Sequence, residues 1–280
     1  MSGPKGWIGR RQAATDWTAP SLIDRFHAVL DRDAAPARPG DGMPTLSHWL
    51  LFLPSDRQSR LGYDGHGERG GFLPVEPDLP RRMWAGSRIS FPGVLRAGME
   101  VGRVSEIADV VEKTGNSGRL LFVTVRHTIS EPGGPPLIRE EHDIVYRSLS
   151  GAAAKSAPEA PGGAQWRREL VPDERLLFRY SALTFNGHRI HYDLAYATGA
   201  EGYPGLVVHG PLAATLMVEL IGRELPGARI VDFSFKAVSP LFAGNRLTVA
   251  GRRSGPDRVS LWVANHEGGL AMAAEAVIGP

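Results

Sequence analysis

The stretch from Pro211 to Leu225 constrains the fold more than any other part of the sequence, because it predicts a helix that is apolar on almost every side. Pro211 suits the first helical turn, where its missing N–H costs nothing, and Pro226-Gly227 would end the helix. A helix without a polar face has to be buried, so the chain must fold around it. The apolar side chains that surround this predicted helix are Leu212, Ala213, Ala214, Leu216, Met217, Val218, Leu220 and Ile221.

Composition and charge exclude several classes of protein. The 280 residues carry 32 basic and 30 acidic side chains, a net charge of +2, whereas nucleic-acid binding needs a dense basic stripe. Without cysteine there are no disulfides, zinc ribbons, iron–sulfur clusters or thiol nucleophiles. The longest apolar stretch, Leu206 to Leu225, contains His209, Glu219, Arg223 and Glu224, which a bilayer helix would not carry. We therefore expect no nucleic-acid or membrane partner and, without a signal-peptide pattern, a cytoplasmic location.

The rest of the chain predicts short elements joined by turns, because 34 glycines and 22 prolines are spread through it. An S-x-x-D start and one apolar face predict a helix over Ser21–Leu30. The stretch Asp56–Pro80 is rich in glycine, proline and charge, which predicts a long loop. Apolar–polar alternation predicts strands at Gly102–Val111, Arg119–Ser130, Leu137–Arg147, Leu176–Ser181, Ala228–Lys236, Arg246–Arg252, Val259–His266 and Leu270–Val277.

The two halves of the chain end alike, which indicates an internal repeat. Leu95-Arg96-Ala97-Gly98 precedes the first set of strands, and Leu241-Phe242-Ala243-Gly244 precedes the second. Between them, Ser148–Gln165 is small, polar and proline-bearing, which is typical of a linker. We predict two copies of one α+β unit, residues 1–150 and residues 167–280, with the linker at 148–165.

Two motifs suggest chemistry that the surrounding sequence does not support. Gly65-His66-Gly67-Glu68-Arg69-Gly70 matches G-x-G-x-x-G, but a dinucleotide site needs this motif between a strand and a helix. Here it lies in a polar stretch, so a flexible loop is the preferred interpretation. His188, His191 and Asp193 could form a metal cluster, but no cysteine or further ligand lies near them in the sequence. We therefore expect no metal.

The segment Phe185–Asp193, with a polar turn at its start, is the densest polar cluster beside the apolar helix, which begins at His209-Gly210-Pro211. Unpaired N–H groups at a buried helix start favour a carbonyl oxygen that becomes negative. A histidine within reach of such a site is the minimum equipment for adding water to, or removing it from, a thioester-conjugated alkene. The alternative is a capped helix with surface histidines, and the residues alone leave both open.

Two segments resemble the signature of MaoC-like, (R)-specific enoyl-thioester hydratases, namely Asn186-Gly187-His188-Arg189-Ile190-His191 and Tyr203-Pro204-Gly205-Leu206-Val207-Val208-His209-Gly210-Pro211. Two N-terminal segments, Arg81–Gly86 and Phe122–His127, are similar to the branch that contains type 2 hydroxyacyl-thioester dehydratases, mesaconyl-C4-CoA hydratases and itaconyl-CoA hydratases. The resemblance covers nearly the whole chain. It implies an α+β double hotdog, in which two fused units each wrap an antiparallel sheet around a central helix. It also implies that the C-terminal unit holds the chemistry, while the N-terminal unit lacks the signature and widens the acyl pocket.

The sequence departs from the family pattern G-D-x-N-P-L-H at two positions. The histidine falls on His191, but Asn186 occupies the aspartate position and His188 the asparagine position. An amide cannot take up a proton, although it can orient a water molecule. Two alternatives follow, of which the first is preferred. Either His191 is the sole base and Asn186 positions the water, or the carboxylate of Asp193 substitutes.

The resemblance implies reversible hydration of an enoyl-CoA. His191 would take a proton from the attacking water, and the N–H of Gly210 would hold the enolate oxygen. His188 and His209 would line the substrate site. No metal or redox cofactor is implied, and CoA is part of the substrate. Its phosphates need cations, for which the candidates are Arg81, Arg82, Arg88, Arg126 and Arg223.

The branch implies a C5 branched dicarboxylyl-CoA, mesaconyl-C4-CoA or itaconyl-CoA, hydrated to citramalyl-CoA. Its distal carboxylate would call for a buried arginine, Arg189 or Arg88. One alternative is dehydration of 3-hydroxyacyl thioesters in fatty-acid synthesis. Another is an inactive hotdog that only binds acyl-CoA, because Asn186 breaks the acid–base pair. The expected partner is an acyl-CoA thioester, and a homodimer is an expected assembly.

Overall fold

Ten strands form one antiparallel sheet in the computed structural model, which describes residues 4–68, 70–115, 118–148 and 156–279. The strands are β1 (Arg11–Trp17), β2 (Arg81–Ser90), β3 (Glu100–Gly115), β4 (Gly118–Ser130), β5 (Pro136–Arg147), β6 (Trp166–Leu170), β7 (Arg229–Ala237), β8 (Leu247–Arg253), β9 (Arg258–Ala264) and β10 (Leu270–Gly279). The helices are α1 (Pro20–Val29), α2 (Glu174–Thr184) and α3 (Gly210–Glu224). Short 3-10 turns occur at Pro4–Trp7, Ser47–Leu50, Gln58–Arg60 and Arg189–His191, and a π-helical turn at Tyr196–Ala200.

The strand order is β1-β3-β4-β5-β2-β7-β10-β9-β8-β6, so the second five strands repeat the first five in reverse. We call β1–β5 with α1 the N-terminal unit, and β6–β10 with α2 and α3 the C-terminal unit. The two units join where β2 pairs antiparallel with β7, from Gly86–Lys236 to Ser90–Asp232. The α+β double hotdog is thereby confirmed. The domain boundaries stay a prediction, and residues 149–155 of the predicted linker lie outside the described residues.

Equivalent hydrogen bonds confirm the internal repeat. The N–H of Gly98 donates to the carbonyl of Thr18 at 2.5 Å, and the N–H of Gly244 donates to that of Pro172 at 2.8 Å. Both glycines have left-handed backbone, with φ of 92° and 81°. The two related tetrapeptides therefore hold the same place in their units, directly before β3 and β8.

The predicted elements agree with the structure except at α2. The strand predicted over Leu176–Ser181 is wrong, because these residues lie inside this helix. Its first turn is capped by Asp173, whose side chain accepts from the N–H of Leu176 at 2.9 Å. Leu177, Tyr180 and Leu183 then recur at helical spacing and are buried. The sequence analysis missed β1, β2 and β6. β1 and β6 are edge strands with charged residues, which lack the apolar alternation of inner strands. β2 is an inner strand, but it begins with two arginines and has a bulge between Trp84 and Gly86 that breaks its alternation.

The predicted burial of the apolar helix is confirmed in α3. Ten of its residues, from Leu212 to Ile221, are buried inside the C-terminal unit. Its one buried carboxylate, Glu219, pairs with Arg32 at 3.0 Å and Arg223 at 2.8 Å. In the described residues, no helix is both long enough and apolar enough to cross a membrane.

The described residues of the N-terminal unit contain no counterpart of α3, so the prediction of a central helix in each unit is wrong for this one. The N–H of Met43 donates to the carbonyl of Leu95 at 2.8 Å, just as that of Val208 donates to Leu241 at 2.8 Å. The segment after Met43 therefore corresponds to the start of α3, yet it forms only the single turn Ser47–Leu50. Two separate segments cover the inner face of this sheet instead. The turn packs at one end, and Phe72, Leu73 and Leu79 pack at the other.

Polar side chains occupy the inner face between these two covering segments. Along β5 the inward residues are Ile138, Glu140, His142 and Ile144, so a polar pair interrupts the apolar face. Neighbouring strands show the same interruption. We call these residues the polar band, and its members are Ser87, Arg103, Ser105, His127, Glu140 and His142.

The seam between β2 and β7 gives a stability prediction. A side-chain carbon at Gly86 would overlap the carbonyl oxygen of Phe235 across the seam. We expect Gly86→Ala to lower the free energy of unfolding by about 1–3 kcal/mol, the usual cost of overpacking. Urea denaturation measures this. The control is Gly162→Ala, because nothing lies within 4 Å of a side-chain carbon there. Equal stability of the two variants would contradict the close contact at the seam.

Candidate active site

His191 is buried at the end of a 3-10 turn, and its ring is fixed by a backbone carbonyl. Its Nδ1 lies 2.7 Å from the carbonyl oxygen of Val207, whose own N–H donates to the carbonyl of Ile190 at 2.9 Å. A carbonyl oxygen can only accept a hydrogen bond, so Nδ1 carries the proton. Nε2 is left with a lone pair, which is what a general base needs.

Burial keeps His191 in this neutral form. It lowers the pKa of the imidazole from 6.5 to about 4, although the hydrogen bond to Val207 acts in the opposite direction. At neutral pH the ring is therefore unprotonated at Nε2. A general base is useful when it is deprotonated at the working pH.

His209 stacks on His191 at the start of α3. The two ring centroids are 3.6 Å apart and the planes differ by 16°. Nε2 of His209 forms a hydrogen bond with Oγ of Ser181 at 2.8 Å, which ties the ring to α2. Burial lowers the pKa of His209 well below 6.5, so the stacked ring carries no charge. The sequence placed His209 near the site but gave no signal for Ser181 or the Val207 carbonyl.

Gly210 is the first residue of α3, and its N–H has no partner within the helix. The next residue, Pro211, has no N–H at all. The nearest atom to a side-chain carbon built on Gly210 would be Cε of Met272 at 3.9 Å, so the backbone is open on that side. The amide of Gly210 therefore has the room and the helix-dipole setting for an anionic oxygen.

Asn186 offers its side-chain NH2 group to a bound molecule as a hydrogen-bond donor. Its Oδ1 accepts from the N–H of His188 at 3.0 Å, and its own backbone N–H donates to the carbonyl of Ser181 at 2.8 Å. The side-chain NH2 group can therefore hold the oxygen of a water molecule while leaving the water's protons for another group.

Asp193 and Arg189 hold the loop together. The Asp193 carboxylate accepts from Arg189 at 2.7 Å and from the N–H of Tyr196 at 2.9 Å. These bonds lower its pKa, with the Tyr196 N–H as the largest cause. The Arg189 guanidinium also donates to the carbonyl of Tyr63 and lies 4.4 Å from the ring centroid of Tyr196. Both side chains are thus committed to structural contacts.

A loop of the N-terminal unit packs directly on residues 186–191, the first of the two segments that resemble the hydratase signature. We call these residues the hydratase motif. The loop contains the glycine-rich motif, interpreted above as flexible; Arg69 of that motif lies outside the described residues. Gly65 has φ of 88°, and a side-chain carbon there would overlap the carbonyl oxygen of Gly187. The carbonyl of Asp64 accepts from the N–H of Arg189 at 2.9 Å. The interpretation as a flexible loop missed this contact, which requires glycine at position 65 because any side chain there would overlap Gly187.

The same loop places the ionisable side chains of Asp64 and His66 beside the motif. The rings of His66 and His188 are 4.3 Å apart, and those of His188 and His191 are 5.5 Å apart. Asp64 pairs with Nδ1 of His66 at 3.3 Å. Burial opposes ionisation of Asp64, but its bonds with His66 outweigh it and lower the pKa. Burial lowers the pKa of His188 to about 3.

Most of the candidate arginines are paired away from the site. Arg88 lies between buried Ser87 and Ile89 on the outer face of the sheet, with Asp143 at 2.6 Å and Glu141 at 3.2 Å. Arg126 also pairs with Glu141, Arg81 with Glu201, and Arg223 with Glu219. Arg82 differs, because it forms no ion pair or hydrogen bond within the residues that the structure describes. It faces inward, opposite Tyr146.

Hydrogen bonds and ring stacking hold the polar band together on the inner face of the N-terminal unit. Glu140 is held by Ser87 Oγ at 2.7 Å and by His48 Nε2 at 3.2 Å. His142 stacks on Trp84 with ring centroids 4.0 Å apart. Burial lowers the pKa of His127 to about 3 and that of His142 to about 4. The inner face of this unit is therefore polar between the two segments that cover it.

No group of three or more metal-ligating side chains lies together within the described part of the chain. The rings of His188 and His191 are at right angles, and Asp193 is bound to Arg189. Independence from metal stays a prediction.

Comparisons with known proteins agree with the fold and the motif. A family model described as hydroxyacyl-thioester dehydratase type 2 matches residues 46–243. The mesaconyl-C(4)-CoA hydratase of Chloroflexus aurantiacus is 42% identical over 275 residues, which covers 98% of this chain and 97% of that protein. The mitochondrial hydroxyacyl-thioester dehydratase type 2 of Schizosaccharomyces pombe is 26% identical, covering 77% of this chain and 78% of its own. The crystal structure of a MaoC-like dehydratase from Phytophthora capsici superimposes with a TM-score of 0.73 at 13% identity, covering 97% and 96% of the two chains.

The buried histidines predict acid sensitivity. The unfolded chain takes up protons below pH 6.5, whereas the folded chain does so only near or below pH 4, so the free energy of unfolding falls as the pH falls between these values. Each histidine contributes up to about 1.4 kcal/mol per pH unit. We expect a shallower slope in His127→Gln, because one of the buried histidines is then removed. Denaturation between pH 7.5 and pH 5 measures the slope, and a flat profile would contradict the account. The histidines concerned are His127, His142, His188, His191 and His209.

Proposed function

Because the chain belongs to the hydroxyacyl-thioester dehydratase type 2 family, we propose that it catalyses the reversible hydration of an enoyl-CoA, with His191 as the general base. The observation that carries this assignment is the bond from His191 Nδ1 to the Val207 carbonyl, which leaves Nε2 unprotonated next to the start of α3. That geometry is of use for moving a proton and has no evident role in packing.

The chemical step uses one base and one oxyanion donor. Nε2 of His191 takes a proton from water while the water oxygen attacks the β-carbon of the enoyl thioester. The C=C electrons move to the α-carbon and the thioester oxygen, and the N–H of Gly210 donates to that oxygen. The proton on His191 then returns to the α-carbon. A single oxyanion donor of this kind is worth about 3 kcal/mol, and a general base about 100- to 10,000-fold in rate.

The neighbours of His191 fit its change of charge during the reaction. His191 becomes an imidazolium in the transition state, and a second charge on the stacked ring of His209 would oppose this. The lowered pKa of buried His209 keeps that ring neutral. Asn186 donates through its NH2 group to the water oxygen, and Asp193 remains bound to Arg189. We therefore assign Asn186 to water positioning and Asp193 to loop structure.

We further propose a C5 branched dicarboxylyl-CoA as the substrate. The relative that is 42% identical over nearly the whole chain is named for mesaconyl-C(4)-CoA. Water added to the β-carbon of that thioester gives citramalyl-CoA. The polar band supports a short polar acyl group, because His142 forms no hydrogen bond within the described residues and an alkyl chain beside it would give its ring no partner. Itaconyl-CoA is a related candidate substrate.

Dehydration of a 3-hydroxyacyl thioester in fatty-acid synthesis is the second candidate, supported by the family description and the fission-yeast relative. It uses the same residues in the reverse direction, but it would place an alkyl chain against the polar band. An inactive acyl-CoA-binding protein is the third. The fixed tautomer of His191 favours catalysis over that alternative.

The proposal needs no metal or redox cofactor, since the His191 base and the Gly210 amide supply the proton transfer and the charge stabilisation. A cytoplasmic location and a homodimer also stay proposals. Turnover that is retained after exhaustive chelation would support a reaction without a metal, and turnover that zinc or magnesium restored would contradict it.

Three variants rank the roles within the site. We expect His191→Ala to lose about 100- to 10,000-fold in kcat, because the base is gone. Asn186→Ala should lose less, since only a water contact is removed. Asp193→Asn should leave kcat nearly unchanged, because that carboxylate carries no proton in the reaction. The measurement is hydration of mesaconyl-C4-CoA and of crotonyl-CoA at saturating substrate.

Thermal unfolding of each variant serves as the control for the loss of a structural contact. If His191→Ala kept more than about a tenth of wild-type turnover, His191 would not be the general base. If Asp193→Asn were as damaging as His191→Ala at unchanged thermal stability, the carboxylate would be the base. A wild-type preference for crotonyl-CoA would favour the fatty-acid reaction, and binding without turnover of either substrate would favour the inactive protein.

A further inference from the structure

We propose that Arg82, together with His66 and His188, forms a subsite for a carboxylate carried on the β-carbon of the acyl group. The inference rests on the proposed function and deepens it, because it assigns the residues that select a dicarboxylyl substrate. The subsite lies where the loop of the N-terminal unit meets the hydratase motif. The sequence had suggested Arg189 or Arg88 for this task.

The chemistry of the substrate dictates where such a subsite must be. In a mesaconyl thioester formed at C4, the free carboxylate is attached to the same carbon that water attacks. It is therefore one bond from the reacting atom and has to lie beside His191, not against the polar band of the N-terminal unit. The ring nearest to His191 on the motif side is that of His188, at 5.5 Å, and His66 follows at 4.3 Å from His188.

Arg82 is the arginine whose geometry fits this place. On β2 the side chain of Arg81 pairs with Glu201, and Arg82 points to the opposite, inner face, where it lies opposite Tyr146. Two residues further along the same face, Trp84 stacks on His142. Arg82 therefore lies on the strand between Arg81, which reaches Glu201 of the C-terminal unit, and Trp84, which reaches the polar band. Burial is the largest cause of the lowered pKa of His142 and of His188, and the charge of Arg82 lowers both further.

Arg82 also has its charge available. It is half-buried and has no hydrogen-bond or ion-pair partner in the described part of the chain. Arg189 and Arg88, by contrast, each already bind aspartate oxygens, at 2.7 Å and 2.6 Å. A half-buried guanidinium without an anion is costly, and its planar fork matches a carboxylate in two hydrogen bonds. A substrate carboxylate supplies the missing partner.

His66 adds a directed nitrogen to the same place. The Asp64 carboxylate pairs with Nδ1 of His66 at 3.3 Å, and it also accepts the backbone N–H of His66 at 3.1 Å. These contacts fix the ring and leave Nε2 for a ligand. Since Asp64 and His66 are already paired, Arg82 remains the cation that an incoming carboxylate would neutralise.

A matched pair of saturated thioesters tests the subsite without relying on turnover. The C4 thioester of 2-methylsuccinate carries a carboxylate and a methyl group on the β-carbon, and isovaleryl-CoA carries two methyl groups there. Neither can be hydrated. We expect Arg82→Gln to weaken the affinity for the 2-methylsuccinate thioester, relative to that for isovaleryl-CoA, by about 30-fold or more. This is the usual effect of removing one partner of a buried charged pair. His66→Gln should reduce the same ratio by a smaller factor, and Arg82→Lys should restore part of it.

Arg88→Gln is the matched control, because Arg88 lies on the same strand but on the outer face. It should leave the affinity ratio unchanged. The inference would be overturned if Arg82→Gln weakened both thioesters equally, which would place Arg82 at the shared CoA moiety, or if it changed neither. These results are independent of catalysis. If the wild-type protein bound both thioesters but hydrated neither mesaconyl-C4-CoA nor crotonyl-CoA, the proposed function would fail while the subsite could still be judged.

Discussion

The asymmetry between the two units depends on one buried element, the helix α3. In the part of the chain that the structure describes, only the C-terminal unit encloses such a helix. The sequence enforces this burial because Leu212 to Ile221 has no face that tolerates water. The start of α3 then presents the unpaired amide of Gly210 and the ring of His209 in a place that excludes solvent. The ring of His191 stacks on His209, so the proposed base and the proposed oxyanion donor are positioned by the same helix end.

The absence of that helix from the N-terminal unit has the opposite consequence. Its sheet is covered by two short segments that leave the polar band between them, and we propose that the acyl group binds against this band. The loop that carries Asp64 and His66 completes the arrangement by packing on the motif of the other unit. Each unit therefore supplies what the other lacks, and we expect neither to be active alone.

The sequence predicted those features that depend on local pattern. The buried helix, α1, most inner strands and the repeat follow from periodicity and from the related tetrapeptides before β3 and β8, and the resemblance placed His191 and Gly210. Prediction from the sequence failed where a contact joins distant parts of the chain. The carbonyl of Val207 that fixes His191, the hydroxyl of Ser181 that binds His209, and the fit of Gly65 against Gly187 have no local signal.

Charged residues were the least predictable part of the site. Arg88 and Arg82 look equivalent on one strand, but a bulge in β2 between Trp84 and Gly86 shifts the alternation of side chains. Arg88 consequently faces outward, towards Glu141 and Asp143, while Arg82 faces inward. Without the strand register, no rule based on spacing separates the two.

Hydration in oxygen-18-labelled water tests the central claim most directly. The account predicts that the purified protein converts mesaconyl-C4-CoA to a product heavier by one water, with the label on the β-carbon and the CoA thioester intact. His191→Ala should form this product at least about 100-fold more slowly. Release of free CoA with the label in a carboxylate, or equal rates for the wild-type protein and His191→Ala, would contradict a hydratase with His191 as its base.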